Sequence, residues 1–271
     1  MRLSRIIGLV ILIFIIENCK NYKEESEHFL KKGTVTLAQP NFSTNNTIIN
    51  DSTFLTIGPS ENGLAIYYTT EGSVPTKQSS LYERPIKIST ECVVKARAFS
   101  SDWLPSEVSA IEFFNAGIKP DKIELVSELS EKYPGNGIAT LIDTEKGTAN
   151  FSDMRWIGSD DPLSAIVDFG KPKQLNSLKV CFMINTGAWI FPPKSITLAG
   201  SNDGINFEEF VSKKLEIPTT NSNAGTVHTS LEFNTIKRYL KVTVENLDKI
   251  PEWHDGSGKP SWVFMDEWIF N

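Results

Sequence analysis

Cysteine and histidine are scarce: the chain of 271 residues has three of each. Because zinc sites are built from these residues, and only His254 lies in a motif-like loop, a zinc centre is poorly supported. Cys92 and Cys181 lie in strand-like apolar segments of two different predicted domains. A disulfide would need their Cα atoms within about 7 Å, so we expect two buried free thiols without a catalytic role.

Basic residues are also few: 27 lysines and arginines stand against 33 aspartates and glutamates, for a net charge of −6. No window of the sequence concentrates the basic residues. Because phosphate binding needs a basic stripe, we expect no nucleic-acid partner.

Long apolar runs are missing as well. The longest, Ile6–Ile16, has 11 residues, whereas a membrane-spanning helix needs about 20. Arg2 and Arg5 precede this run and polar residues follow it at once. This is the pattern of an export signal, which we place at residues 1–19.

Cys19 lies where a bacterial lipoprotein signal has its acylated cysteine, and the residues before it resemble a loose version of that motif. The resemblance implies a protein that is anchored by lipid to the bacterial cell envelope, at the periplasmic face or the cell surface. Glu17 and Asn18 replace the usual small residues. An ordinary signal peptide with an incidental Cys19 is therefore the alternative. Residues 20–33 are charged and are interpreted as a tether.

Short alternating apolar segments, separated by Pro, Gly, Asn and Ser clusters, fill the rest of the chain. This pattern predicts an all-β protein without a helix of useful length. We predict a small Ig/fibronectin-like β-sandwich at residues 34–114, a linker at residues 115–122 and a second β-sandwich at residues 123–271.

The first predicted sandwich contains a hairpin sequence, Tyr68-Thr69-Thr70-Glu71-Gly72-Ser73-Val74-Pro75-Thr76. It is similar to the "Y-T-x-D-G-S-x-P-T" hairpin of the fibronectin-III-associated, or chitobiase C-terminal, domain. Glu71 replaces the usual Asp of that family. We interpret this domain as a spacer.

The second sandwich carries an acidic loop, then Trp156, then an alternating segment that ends in Val167-Asp168-Phe169-Gly170, and later an Asp203-Gly204 hairpin signal. This order resembles the discoidin or factor V/VIII C-type modules, which include family 32 carbohydrate-binding modules. The resemblance implies a discoidin-like jelly roll that binds a glycan of the galactose or N-acetylhexosamine type.

Two tryptophans, Trp189 and Trp253, lie in turn-rich loops, where binding residues concentrate. A sugar ring needs a flat aromatic surface and a few polar partners. The predicted ligand-binding residues are Trp189, Trp253, His254, Asp255, Lys259, Arg155 and Asp160. A loop-capping role for Trp253 is equally favoured, and for His254 alone a hydrogen-bonding role is favoured. Trp156, Trp262 and Trp268 are predicted to pack in the core, the last two on one face of the final strand.

The segment Asp143–Thr148 resembles the structural calcium loop of the discoidin family. Matched residue by residue, that resemblance implies Asp143, Thr148 and Glu267 as calcium ligands. A turn that is merely capped by Asp143 is the alternative.

An enzyme is not expected. The tandem resembles the C-terminal appendage of bacterial family 20 β-hexosaminidases, whose catalytic barrel of about 250 residues has no counterpart here. Asp266 and Glu267 are neighbours in a predicted strand and should face opposite ways, so they cannot flank one glycosidic bond. The alternatives to a glycan-binding protein are a structural or protein-interaction protein and an accessory subunit that docks to a glycosidase.

Overall fold

The computed structural model describes residues 31–59 and 64–271, and the regular secondary structure of these residues is almost entirely β-strand. The predicted signal peptide with Cys19, and residues 20–30 of the predicted tether, lie outside the described residues. The strands are β1 Asn41–Ser43, β2 Ile48–Ile49, β3 Thr53–Gly58, β4 Ala65–Thr69, β5 Ser80–Leu81, β6 Ile86–Ile88, β7 Cys92–Phe99, β8 Ser109–Asn115, β9 Lys122–Leu125, β10 Ile157–Ser159, β11 Leu163–Ile184, β12 Ser195–Ser201, β13 Glu208–Lys214, β14 Gly225–Glu245 and β15 Val263–Phe270. Within the described part of the chain, no helix has the length and apolar character needed to cross a membrane.

The first domain is a sandwich of two sheets, ordered β1-β3-β6 and β2-β8-β7-β4-β5. Leu55, Val94 and Phe113 are fully buried between them. In the hairpin after β4, the Glu71 carboxylate accepts hydrogen bonds from the Thr70 N–H and the Ser73 hydroxyl. Glu71 therefore accepts the capping hydrogen bonds expected of the Asp that it replaces.

The second domain is built on two long strands, β11 and β14, which pair along most of their lengths. Their register breaks between Asp168 and Lys173, and each strand thereby contributes to both layers around the core. Gly170 lies at this break with a φ of 72°, and a side chain there would clash with Asp121. The Val-Asp-Phe-Gly sequence thus ends at a position that requires glycine.

A β-bulge interrupts β15 where it pairs with β11. Met265 pairs with Phe182 and Glu267 pairs with Cys181, so Asp266 is the extra residue. The bulge shifts the alternation of the strand: Met265 and Trp268, three residues apart, both enter the main core. Trp262 therefore faces a different cluster from Trp268, and the prediction that they share a face was wrong.

The two domains pack directly on each other. Ile48 and Phe114 of the first domain share a buried cluster with Ile269 of the second. The Lys179 ammonium forms an ion pair with Glu91 at 2.8 Å. Lys179 also lies 4.5 Å from the centre of the Phe114 ring. The first domain therefore forms a packed interface with the second domain, which its interpretation as a spacer did not include.

Candidate functional site

A cavity of about 420 Å³ opens at one end of the second domain, where the loops before β10, after β11 and before β15 meet. Aromatic rings dominate its wall. Its lining residues are Lys132, Tyr133, Phe151, Gly187, Ala188, Trp189, Ile190, Trp262 and Phe264. An apolar pocket of this size with a few polar groups at its edge is typical of a small-molecule site.

The aromatic wall is a connected cluster of rings. The Tyr133 ring centre lies 5.1 Å from that of Trp262 and 4.8 Å from that of Phe264. Phe151 packs edge-on against Tyr133 at 6.1 Å. Phe264 is 1% exposed, whereas Tyr133, Phe151 and Trp262 are half-buried. The buried ring thus supports three rings that present surface to the cavity.

Backbone hydrogen bonds hold Trp189 beside Trp262. The Trp262 N–H donates to the Trp189 carbonyl at 2.9 Å, and the Phe191 N–H donates to the Trp262 carbonyl at 3.0 Å. Trp189 follows the 3₁₀ turn Thr186–Ala188 and has a φ of 65°, in the left-handed region that large residues rarely adopt. Strained backbone of this kind concentrates at ligand sites.

The 246–262 loop, which connects β14 to β15, packs against the Trp189 side chain. Gly256 lies against the indole, and a Cβ at that position would come within 2.8 Å of the ring. The Lys259 ammonium lies 5.2 Å from the Trp189 ring centre, within cation–π range. Trp189 is therefore the one predicted ligand-binding residue that lines this cavity. Lys259 contacts its ring from the 246–262 loop, and Trp253 packs in the same hydrophobic cluster as Trp189.

Trp253, His254 and Asp255 lie behind the cavity and do not line it. Trp253 is half-buried and packs against Phe191 at a ring-centre distance of 6.2 Å. His254 is buried, and its Nδ1 accepts the Gly256 N–H while its Nε2 donates to the Thr186 carbonyl at 2.8 Å. Both ring nitrogens are therefore engaged by backbone partners, one in the same loop and one in the turn that precedes Trp189. Asp255 is exposed.

Arg155 and Asp160 are likewise apart from the cavity. The Arg155 guanidinium pairs with Asp153, and Arg155 lines a separate cavity of about 720 Å³ between the two domains. Asp160 contributes its backbone carbonyl to the Asn246 side-chain amide. Neither side chain reaches the aromatic wall.

Of the nine lining residues the sequence predicted only Trp189; those it missed include Tyr133, Phe151, Trp262 and Lys132. Tyr133 lies in a Lys-Tyr-Pro-Gly-Asn-Gly loop and Phe151 in a second polar loop, so the signal that singled out Trp189 applies equally to them. Trp262 was assigned to the core because the bulge in β15 cannot be read from the sequence. Lys132 had no distinguishing signal.

The acidic loop lies elsewhere in the domain, against β15. The Asp266 carboxylate is fully buried and accepts hydrogen bonds from the Lys146 ammonium and the Gly147 N–H, each at 2.8 Å. The Glu267 carboxylate accepts the Thr144 N–H at 2.9 Å. Because of the bulge, these neighbouring carboxylates reach the same loop, which contradicts the prediction that they face opposite ways.

Asp143 and Glu267 both lie in surroundings that disfavour the charged form of a carboxyl group. Burial, with repulsion from Asp143, raises the pKa of Glu267 to about 9. Burial also raises the pKa of Asp143. Thr144 between them has a φ of 67°. A half-buried carboxylate on an irregular loop and a buried carboxylate on β15 are oxygen donors of the type that suits a hard cation.

Thr148, the third predicted calcium ligand, is held by other partners. Its carbonyl accepts the Trp156 indole N–H at 2.9 Å, and its hydroxyl donates to Asp153 at 3.0 Å. Within the described residues, no group of three or more His, Cys, Asp or Glu side chains has a metal-binding arrangement. Further oxygen ligands beside Asp143 and Glu267 would have to be backbone carbonyls or water.

Two protein-family profiles match the chain. A Fn3-associated domain covers residues 55–113, and an F5/8 type C domain covers residues 125–264. No curated protein matches the chain in sequence.

Similar solved structures include several carbohydrate-binding modules. A module in complex with GalNAc-β-1,3-galactose from Clostridium perfringens is 17% identical, with a TM-score of 0.37, and the match covers 55% of this chain and 93% of that one. A chitosan-binding module from Paenibacillus sp. IK-5 is 14% identical, with a TM-score of 0.34 and coverage of 58% and 97%. A family 32 module of AlyQ, in complex with 4,5-unsaturated mannuronic acid, is 16% identical, with a TM-score of 0.36 and coverage of 56% and 95%.

Proposed function

The chain belongs to the F5/8 type C domain family, and from that premise we propose that it is a non-catalytic glycan-binding protein of the bacterial cell envelope. The observation that carries the proposal is the aromatic cavity that Tyr133, Phe151, Trp189 and Trp262 line at one loop end. A pyranose presents C–H groups on its faces and hydroxyl groups at its edge. Half-buried aromatic rings provide the apolar surface that such a face needs.

Polar partners stand close to these rings. Lys132 lines the cavity and Lys259 lies over the Trp189 ring; both lysines are exposed, and their ammonium groups can donate to hydroxyl or ring oxygens. Because the site is shallow and single, we expect millimolar to micromolar affinity for a small sugar.

The experiment is a glycan array probed with the full chain at high protein concentration and with added calcium. Binding to a defined set of glycans, galactose- or N-acetylhexosamine-containing ones among them, is the expected result. If no glycan is bound by a folded protein, the sugar hypothesis is wrong. A structural or protein-interaction role, or docking to a glycosidase, would then take its place.

A lipid anchor at Cys19 completes the proposal and rests on the sequence alone. We expect the chain to incorporate labelled palmitate in a bacterial host and to sediment with membranes. Cys19→Ser should abolish both properties, because the thiol is the acylation point. Equal membrane sedimentation of the two forms, with no label in either, would contradict the anchor.

Calcium is proposed as a structural ion on the acidic loop. The carboxylates of Asp143 and Glu267 would hold it, and the bound ion would take the place of the proton that Glu267 otherwise keeps at neutral pH and would rigidify the loop. Binding to the folded state alone raises stability by about 2.7 kcal/mol at a calcium concentration of 100 times the dissociation constant. For a domain of this size, that corresponds to roughly 5–10 °C in Tm.

Glu267→Gln tests the calcium proposal. The variant should fold and should lose the calcium-dependent rise in Tm, because Gln removes the negative charge that the ion needs. Glu208→Gln changes an exposed carboxylate on the edge strand β13 and should keep the full rise. The same calcium response in all three proteins would exclude Glu267 as a ligand.

A further inference from the structure

The edge of the aromatic cavity is positively charged. The Lys132 ammonium lies 5.1 Å from the Tyr133 ring centre and 5.4 Å from the Trp262 ring centre. The Lys259 ammonium lies over Trp189 at 5.2 Å. Lys132 thus lies in the cavity wall over two of its rings, and Lys259 reaches a third ring, that of Trp189, from the neighbouring 246–262 loop.

Neither lysine is neutralised by a neighbour. Among the described residues, no carboxylate lies within ion-pair distance of Lys132 or Lys259, although other lysines of the domain, such as Lys146 and Lys194, are paired. None of the residues that line the cavity is an aspartate or a glutamate. In a chain with a net charge of −6, this is a local positive field of two free cations.

From this arrangement we infer that the glycan carries an acidic group, a carboxylate or a sulfate, on a sugar ring that stacks in the cavity. The inference rests on the proposed function and adds the chemical class of the ligand. The aromatic rings take the apolar face of the sugar, and a lysine ammonium takes the anion at its edge. A charge-assisted hydrogen bond of this kind is shorter and about twice as strong as a neutral one.

The same placement of the lysines leads us to expect weaker binding of a neutral sugar. Stacking a neutral ring on Trp262 or Trp189 moves a lysine from its position over the aromatic face and gives it no anion in return. An acidic sugar replaces the lost cation–π contact with an ion pair. The placement of the two lysine side chains therefore favours an acidic sugar over a neutral one.

Matched pairs of ligands test the inference. The full chain is titrated with D-galactose and D-galacturonic acid, and with N-acetylgalactosamine and its sulfated form, which separates the carboxylate from the sulfate. For at least one pair, we expect the acidic member to bind about tenfold more tightly at low salt. The preference should shrink at about 1 M salt, where the screening length is about 3 Å.

Two variants give the test its controls. The double variant Lys132→Gln and Lys259→Gln should bind both members of a pair within about twofold of each other, since it keeps the aromatic wall and removes only the charges. Lys171→Gln removes an exposed lysine that is not part of the cavity wall and should keep the preference.

The outcomes separate the acidic-ligand inference from the proposed glycan-binding function. Equal binding of neutral and acidic sugars by the unaltered chain, or a preference that survives in the double variant, overturns the acidic-ligand inference and leaves glycan binding standing. Absence of binding to every member of both pairs and to the glycan array overturns both.

Discussion

Trp262→Ala is expected to weaken glycan binding by about 30-fold, equivalent to about 2 kcal/mol, the loss typical of a central aromatic residue in a binding site. Trp262 is half-buried, and its ring contacts those of Tyr133 and Phe264 in the cavity wall. Its removal takes away one stacking surface and loosens its neighbours. Isothermal titration with the best ligand of the array measures the effect.

Trp253→Ala is the matched control for Trp262→Ala. Trp253 is also a half-buried loop tryptophan of the same domain, but it packs on Phe191 and does not line the cavity. We expect it to lose stability comparably and to keep its affinity within about threefold. If Trp253→Ala lost binding and Trp262→Ala kept it, the site would lie on the 246–262 loop itself.

Lys146→Ala should be the most destabilising change in the acidic loop. The Lys146 side chain is 15% exposed and that of Asp266 is 0% exposed, so the substitution leaves an unpaired carboxylate in the protein interior. Removing one partner of a buried ion pair typically costs about 3–5 kcal/mol. Urea denaturation without calcium measures the free energy of unfolding.

Two further variants show whether the lost pairing is the cause. Replacing both partners, Lys146→Met with Asp266→Leu, should recover most of the stability, because no buried charge is left unpaired. Lys194→Ala breaks an exposed pair with Asp248 and should cost less than about 1 kcal/mol. A loss for Lys146→Ala as small as that for Lys194→Ala would mean that water reaches Asp266.

The fold was predictable because its signals are local. Alternation marked the strands, Asp203-Gly204 marked the turn between β12 and β13, and Gly170 marked the break in β11. Two matching loop motifs sufficed to indicate the jelly roll, and the F5/8 type C match to residues 125–264 confirms it.

The candidate site was predicted only in part because it depends on long-range geometry. Trp189 and Lys259 could be found from loop composition. The exposure of Trp262 depends on the bulge at Asp266, which is set by pairing with β11 and has no sequence signature. His254 looked available for a ligand, yet its partner Thr186 is 68 residues away in the chain.

The contact between the domains could not be predicted from the sequence, because it also depends on long-range geometry. Lys179 and Glu91 look like ordinary surface charges, and only the folded chain shows that they pair across the interface. The predicted linker likewise contains Ile118, which packs against the core of the second domain.

The most direct measurement is a titration of the chain with its best glycan, followed by the indole N–H resonances of its six tryptophans in two-dimensional NMR spectra. The account predicts that the resonances of Trp189 and Trp262 shift together and saturably, while those of the buried Trp156 and Trp268 remain in place. Shifts confined to Trp253, or saturation without any change at Trp189 and Trp262, would contradict the assignment of the cavity as the glycan site.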